Sequence, residues 1–74
     1  MKRPALTNQQ LDTMNFIENY YKKHQRAPSQ AEIAGACNVR QGNVGKILAA
    51  LEKKYYINLN YGEARGIELL VWNE

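Results

Sequence analysis

Residues 32–51, EIAGACNVRQGNVGKILAAL, decide the fold of this chain. Apolar residues recur on both sides of Asn38 at the spacing of two helices that cross over one buried seam. Asn38 lies in the tight turn between them, where left-handed backbone angles are common and Asn tolerates them best after glycine. The stretch therefore predicts a helix-turn-helix.

The second helix of this pair has a clear apolar face, formed by Val44, Ile47, Leu48 and Leu51 at spacings i, i+3, i+4 and i+7. Its polar residues lie off that face, near the helix start, where a helix in a DNA major groove presents its base-reading side chains. We expect Gln41 and Asn43 to read base edges, with adenine as the natural partner of an amide. We expect Arg40 and Lys46 to contact guanine or phosphate.

Two glycines interrupt the same helix. Gly42 and Gly45 each cost up to about 1 kcal/mol of helix propensity, and on an exposed face they would let the helix sit deeper in a groove. Arg40 stands where Ser or Thr commonly caps such a helix. Tyr55 stands where a glycine commonly ends it, so we expect an unusual helix end there.

Helix-start signals define the other helices. Thr7 with Gln10, and Ser29 with Glu32, each have the spacing of a capping box. The first helix is expected over about residues 8–25, with Leu11, Met14, Ile17 and Tyr21 as its apolar stripe. The second is expected over about residues 30–36 and the third over about 41–54.

Beyond the third helix, residues 56–72 alternate apolar and polar positions around a turn that contains Gly62 and Gly66. This pattern predicts a β-hairpin, or wing. The fold class is therefore mainly α with a small β-hairpin: a winged helix-turn-helix with three helices and a two- or three-stranded antiparallel wing. The expected order is a helix, a short strand, two helices and the wing, in one domain over residues 1–74.

Contacts with the DNA backbone are expected from Lys53, Arg26, Ser29 and, at the tip of the wing, Arg65. Three of these residues, Lys53, Ser29 and Arg65, also have a plainer interpretation. Ser29 is sufficiently explained as a helix cap, and lysines at helix C-termini complement the helix dipole. Arg65 is alternatively a solvated turn residue.

Leu70 and Trp72 would face away from the core if Ile67, Leu69 and Val71 face it. We expect them to form a partner surface, such as a homodimer contact. The competing interpretation is that Trp72 folds back on the first helix.

Composition excludes several classes of protein. The 74 residues carry a net charge of +3 and no apolar run near the roughly 20 residues that cross a bilayer. The N-terminus MKRPAL leads into polar residues, so we expect no secretory signal and a cytoplasmic location. One cysteine, Cys37, and one histidine, His24, give no metal-ligand set. With no carboxylate pair or activated nucleophile, we predict no enzyme, no cofactor and no small-molecule substrate.

Four pieces of the sequence carry a family resemblance: LTxxQ from Leu6, FI at Phe16, PSxxEIA from Pro28 and RGIxLL from Arg65. In these pieces the sequence resembles the DNA-binding domain of LexA-type repressors. The resemblance implies a winged helix domain that reads a duplex operator, usually as a symmetric dimer. The self-cleaving second domain of that family has no counterpart here, and the reading region is one residue shorter, so neither autoproteolysis nor the operator is carried over.

The function expected is that of a sequence-specific double-stranded DNA-binding regulator, repressor-like in action. A domain of this size buries little DNA, so a homodimer or a partner protein is expected to assist it. The alternative is a winged helix that binds protein instead of DNA, as an adaptor or an inhibitor.

Overall fold

The computed structural model describes residues 4–60, 62 and 66–70. Three helices, α1 (Asn8–His24), α2 (Gln30–Cys37) and α3 (Gln41–Lys53), precede two strands, β1 (Ile57–Leu59) and β2 (Ile67–Leu69). Each helix boundary lies within one residue of its prediction. The order confirms three helices followed by a two-stranded wing.

The N-termini of α1 and α2 are held by the two predicted capping boxes. In α1 the Thr7 hydroxyl accepts the Gln10 amide at 3.2 Å and the Gln10 side chain accepts the Thr7 amide at 3.1 Å. In α2 the Ser29 hydroxyl accepts the Glu32 amide at 3.2 Å, and the Glu32 carboxylate accepts the Ser29 amide at 2.9 Å. These bonds satisfy amides that a helix leaves without intrahelical partners.

Left-handed residues end the helices. Asn38 has φ 56° and ψ 45° after α2, as predicted, and Gln25 has φ 60° after α1. After α3, Tyr55 has φ 67°. The Tyr55 amide bonds to the Glu52 carbonyl and the Tyr56 amide to the Leu51 carbonyl, both at 3.0 Å. This is a Schellman motif with tyrosine at the position that normally holds glycine, so the unusual helix end predicted at Tyr55 is confirmed.

The hydrophobic core lies between α1 and the helix-turn-helix and continues under the hairpin. Its buried members are Met14, Ile17, Ala27, Ile33, Val44, Ile47, Leu48, Leu51, Ile57 and Ile67. The predicted core face of α3 is thus confirmed. Leu11 is a correction: it is 42% exposed and not a core residue, so the buried stripe of α1 begins at Thr13 and Met14.

The wing is an antiparallel pair in which Leu59 lies opposite Ile67 and Ile57 opposite Leu69. Beyond the strands, the Asn60 amide donates to the Gly66 carbonyl at 2.6 Å. A Cβ on Gly66 would lie 2.2 Å from the Asn60 carbonyl oxygen, so only glycine fits there.

The short strand expected between the first two helices is not assigned within the described residues. In the described part of the chain the sheet has only β1 and β2. The link after α1 contains Ala27 and Pro28, which are buried. Pro28 favours extended backbone for the residue before it, and the link packs into the core as an extended segment.

Candidate nucleic-acid interface

Helix α3 presents one face to the core and the opposite face to the surroundings. Successive residues turn about 100° around a helix, so the line opposite the buried residues runs through Gly42, Lys46, Ala49 and Lys53. All four are exposed. We call these four residues the outer stripe: two small residues alternate in it with two cations.

The predicted base-reading residues surround the start of this stripe. Arg40, Gln41 and Asn43 are all exposed, as is Lys46 one turn further on. Arg40 is the N-cap residue, with extended backbone (φ −69°, ψ 141°) and no side-chain capping bond. A guanidinium has no acceptor atom, so α3 lacks the side-chain cap that α1 and α2 both have.

The glycines of α3 are not required by internal packing. A Cβ built on Gly42 or Gly45 meets nothing within 4 Å. Positive φ angles among the described glycines occur only at Gly62, so the backbone at both helical positions accepts an L-residue. What the glycines provide is a helix surface without side chains on and beside the outer stripe.

The charged side chains between Glu32 and Glu52 are all positive. The sequence has no Asp or Glu between Glu32 and Glu52. The Glu32 carboxylate accepts the Ser29 amide and, at 2.7 Å, the Tyr20 hydroxyl. Glu52 accepts the Leu59 amide at 2.9 Å. The outer stripe therefore combines exposed cations with small residues, while both flanking carboxylates bond within the protein.

Of the other basic residues considered, two are exposed and one bonds within the protein. Lys53 and Arg26 are exposed, Arg26 just after α1. Lys54 belongs by sequence to the basic cluster around α3. In the structure it instead donates to the Ala5 carbonyl at 2.9 Å and to Gln10 Oε1 at 2.7 Å, which ties the end of α3 to the start of α1.

Ser29 is confirmed as the cap of α2, and its hydroxyl oxygen is occupied in that role. Its hydrogen is not committed by that bond, because a hydroxyl both donates and accepts. The His24 ring contacts the Tyr20 ring, with centroids 4.3 Å apart and the planes tilted by 40°. His24 is exposed at the end of α1.

The predictions for the wing tip and for the partner surface involve residues that the structure describes only in part. Arg65 and Trp72 lie outside the described residues, as does Tyr61. Leu70 is 40% exposed, and its amide donates to the Tyr56 carbonyl at 3.0 Å. Leu70 is therefore exposed, and its role in a partner surface stays a prediction.

Metal-binding and membrane-spanning features are absent from residues 4–60, 62 and 66–70. That part of the chain holds no group of three or more His, Cys, Asp or Glu placed to bind a metal ion. Cys37 is half-buried against the core, in keeping with a packing role. Within the same residues, no helix is both long and apolar enough to cross a membrane.

Sequence reasoning missed Ala49. Its place on the outer stripe follows from its spacing of three residues after Lys46 and four before Lys53, a signal that was present in the sequence. A methyl group on a groove-facing helix is suited to contact a thymine methyl.

A helix-turn-helix whose second helix exposes a basic face, followed at once by a β-hairpin, defines a winged helix DNA-binding domain. The family model of the LexA DNA binding domain matches residues 3–66. The chain therefore belongs to the LexA DNA-binding domain family.

Individual relatives agree. The chain is 35% identical over 75 residues to the LexA repressor of Glaesserella parasuis serovar 5 (strain SH0165), covering 100% of this chain and 36% of that protein. It is 37% identical over 73 residues to the LexA repressor of Alcanivorax borkumensis, covering 93% of the chain and 36% of the repressor. It is 36% identical over 67 residues to the LexA repressor of Geobacter metallireducens, covering 88% of the chain and 33% of that repressor. The chain thus spans about a third of the length of these repressors.

Proposed function

We propose that this chain is a sequence-specific double-stranded DNA-binding regulator that inserts α3 into the major groove. The observation that carries the proposal is the outer stripe, where exposed Lys46 and Lys53 alternate with small residues and none of the four residues is acidic. Membership of the LexA DNA-binding domain family supports it.

The base-reading roles follow from side-chain chemistry. Asn43 and Gln41 carry amides, which pair bidentately with adenine, and Arg40 and Lys46 donate to guanine or to phosphate. The absence of side chains at Gly42 and Gly45 brings the α3 backbone close to the base edges.

The positioning roles belong to residues at the edges of this surface. Lys53 and Arg26 neutralise phosphates, and the Ser29 hydroxyl donates its hydrogen to a phosphate oxygen at the start of α2. Phosphate contacts fix the register and orientation of the domain without reading sequence.

The regulatory outcome we propose is repression by occlusion of a promoter, since the relatives are repressors. We further propose that two copies bind adjacent half-sites, because a single module of this size contacts few base pairs. We also propose that the protein acts in the cytoplasm.

The test is fluorescence anisotropy of the chain with a labelled duplex pool, followed by selection of a preferred site. Binding that weakens steeply with salt is expected, because phosphate contacts release counterions. No binding at low salt would refute the proposal and turn attention to the protein-binding alternative.

Single variants then test the reading face. Asn43→Ala and Lys46→Ala are expected to weaken binding to the selected site by about tenfold or more, since a good base contact contributes about 1–3 kcal/mol of discrimination. Lys22→Ala is the matched control, because Lys22 is an exposed cation on α1. Equal losses in all three would mean that the reading face is wrongly placed.

A further inference from the structure

Two side chains hold the wing from opposite sides, at the end of its strands nearest the turn. Glu52, in the last turn of α3, accepts the Leu59 amide of β1 at 2.9 Å. Tyr21, in α1, donates its hydroxyl to the Ile67 carbonyl of β2. Leu59 and Ile67 are partners in the strand register, so both bonds act on the same rung of the hairpin.

The hairpin geometry explains why this rung is available. The bonds from Asn60 to Gly66 and from Leu70 to Tyr56 mark the rungs whose backbone groups face each other. In an antiparallel pair such rungs alternate with rungs whose groups point outward. Leu59 and Ile67 form an outward-pointing rung, so their polar groups reach the helices on either edge.

We propose that Glu52 and Tyr21 are positioning residues for DNA binding, which fix the wing relative to α3 so that both bind one duplex as a unit. We call this pair of contacts the wing brace. The inference rests on the proposed function and names the residues that join the reading helix to the wing.

The identity of Glu52 supports this role. A carboxylate beside Lys53, at the edge of a surface for DNA, repels phosphate, so its presence there points to another role for the side chain. Here it accepts a backbone amide, and charge-assisted bonds of this kind are among the stronger hydrogen bonds. The brace thus turns the only acidic residue of α3 toward the wing.

Tyr21 completes the brace independently of charge. Burial and the nearby Glu68 carboxylate raise its pKa, burial contributing more. The hydroxyl therefore keeps its hydrogen at neutral pH and stays a donor to Ile67.

The test compares Glu52→Ala with Glu52→Gln. Both remove the same negative charge, but glutamine keeps an oxygen that accepts the Leu59 amide. Affinity for the duplex selected by the parent chain is measured at several salt concentrations, at a temperature where circular dichroism shows every variant folded. Tyr21→Phe tests the other half of the brace and keeps the inference testable if Glu52→Ala fails to fold.

Glu52→Ala and Tyr21→Phe are expected to weaken binding by about fivefold or more, the low end of typical coupling between two sites. The slope of log affinity against log salt should fall in magnitude by about 0.9 for each phosphate that a displaced wing no longer neutralises. Glu52→Gln should keep the slope and stay within about twofold of the parent's affinity, because its wing still neutralises the same phosphates.

Equal affinity and slope for the alanine and glutamine variants, with Tyr21→Phe unchanged, would overturn the inference. Loss of thermal stability alone, with affinity and slope retained, would also overturn it, because the brace would then serve folding only. A parent chain that binds no DNA would instead refute the proposed function, so the two failures are distinguishable.

Discussion

Replacing Gly42 with alanine is expected to stabilise the fold and weaken DNA binding at the same time. Gly42 is exposed in the first turn of α3, and an added Cβ meets nothing within 4 Å. Alanine is favoured over glycine by about 0.5–1 kcal/mol within a helix. Near a helix start we expect the lower value, about 0.5 kcal/mol, which raises the melting temperature of a domain this small by about 2–4 °C.

The effect on binding has the opposite sign. Gly42 begins the outer stripe, so the new methyl group projects from the face proposed to meet the base edges. If α3 sits close enough for its backbone to need the glycine, the methyl group displaces the helix and weakens base recognition by Asn43 and Lys46. We expect a loss of at least about tenfold in affinity, or about 1.4 kcal/mol.

Gly35→Ala is the matched control. Gly35 is also an exposed helical glycine with nothing within 4 Å of an added Cβ, but it belongs to α2. Thermal unfolding should show a rise for both variants, while anisotropy should show a loss of affinity for Gly42→Ala alone. Unchanged affinity in Gly42→Ala would refute the close approach of α3, and a lower melting temperature would refute the open packing inferred around Gly42.

Two further predictions concern Tyr55, just after α3, and Tyr21, in the wing brace. Tyr55→Gly should raise the free energy of unfolding by about 1 kcal/mol, since Tyr55 has φ 67° and left-handed backbone costs an L-residue about that much. Urea unfolding should show a higher midpoint at an unchanged m-value. A lower midpoint would mean that packing of the tyrosine ring stabilises the fold by more than the left-handed backbone costs. The pKa of Tyr21 is raised in the fold, so its contribution is complete below the ordinary tyrosine pKa of about 10 and is lost as pH rises through the raised value. The difference in unfolding free energy between the parent and Tyr21→Phe should narrow above about pH 10, and a constant difference through that range would contradict the assignment.

Local signals predicted most of the fold because each has a short-range cause. Thr7 and Ser29 start helices because a hydroxyl oxygen accepts an amide three residues on, which requires no knowledge of the rest of the chain. Asn38 and Tyr55 were predictable because the chain must turn there. The expected strand before Pro28 is a different case, because a strand exists only by pairing with a distant segment, which local signals do not predict.

Bonds between distant segments were beyond sequence reasoning. Lys54 reaches Ala5 and Gln10 across 49 and 44 residues of sequence, and no local signal predicts those two partners. The bond from Tyr21 to Ile67 likewise depends on the hairpin register. The candidate site was easier to predict, because helical periodicity alone separates the core face of α3 from its outer face, although Ala49, a residue without polar chemistry, was missed.

The distribution of local irregularities points to α3 as the functional element. The helices α1 and α2 begin with complete capping boxes, whereas α3 begins at Arg40 without a side-chain cap and contains Gly42 and Gly45. A missing cap costs about 1 kcal/mol and each glycine up to about 1 kcal/mol, which is large beside the roughly 5–15 kcal/mol that stabilises a folded domain. Natural sequences depart from local rules mainly where function requires it. Arg40 and Gly42 lie at the end of α3 proposed to enter DNA, while Tyr55 lies at the other end. Gly42→Ala should therefore change stability and affinity in opposite directions, whereas Tyr55→Gly should change stability alone.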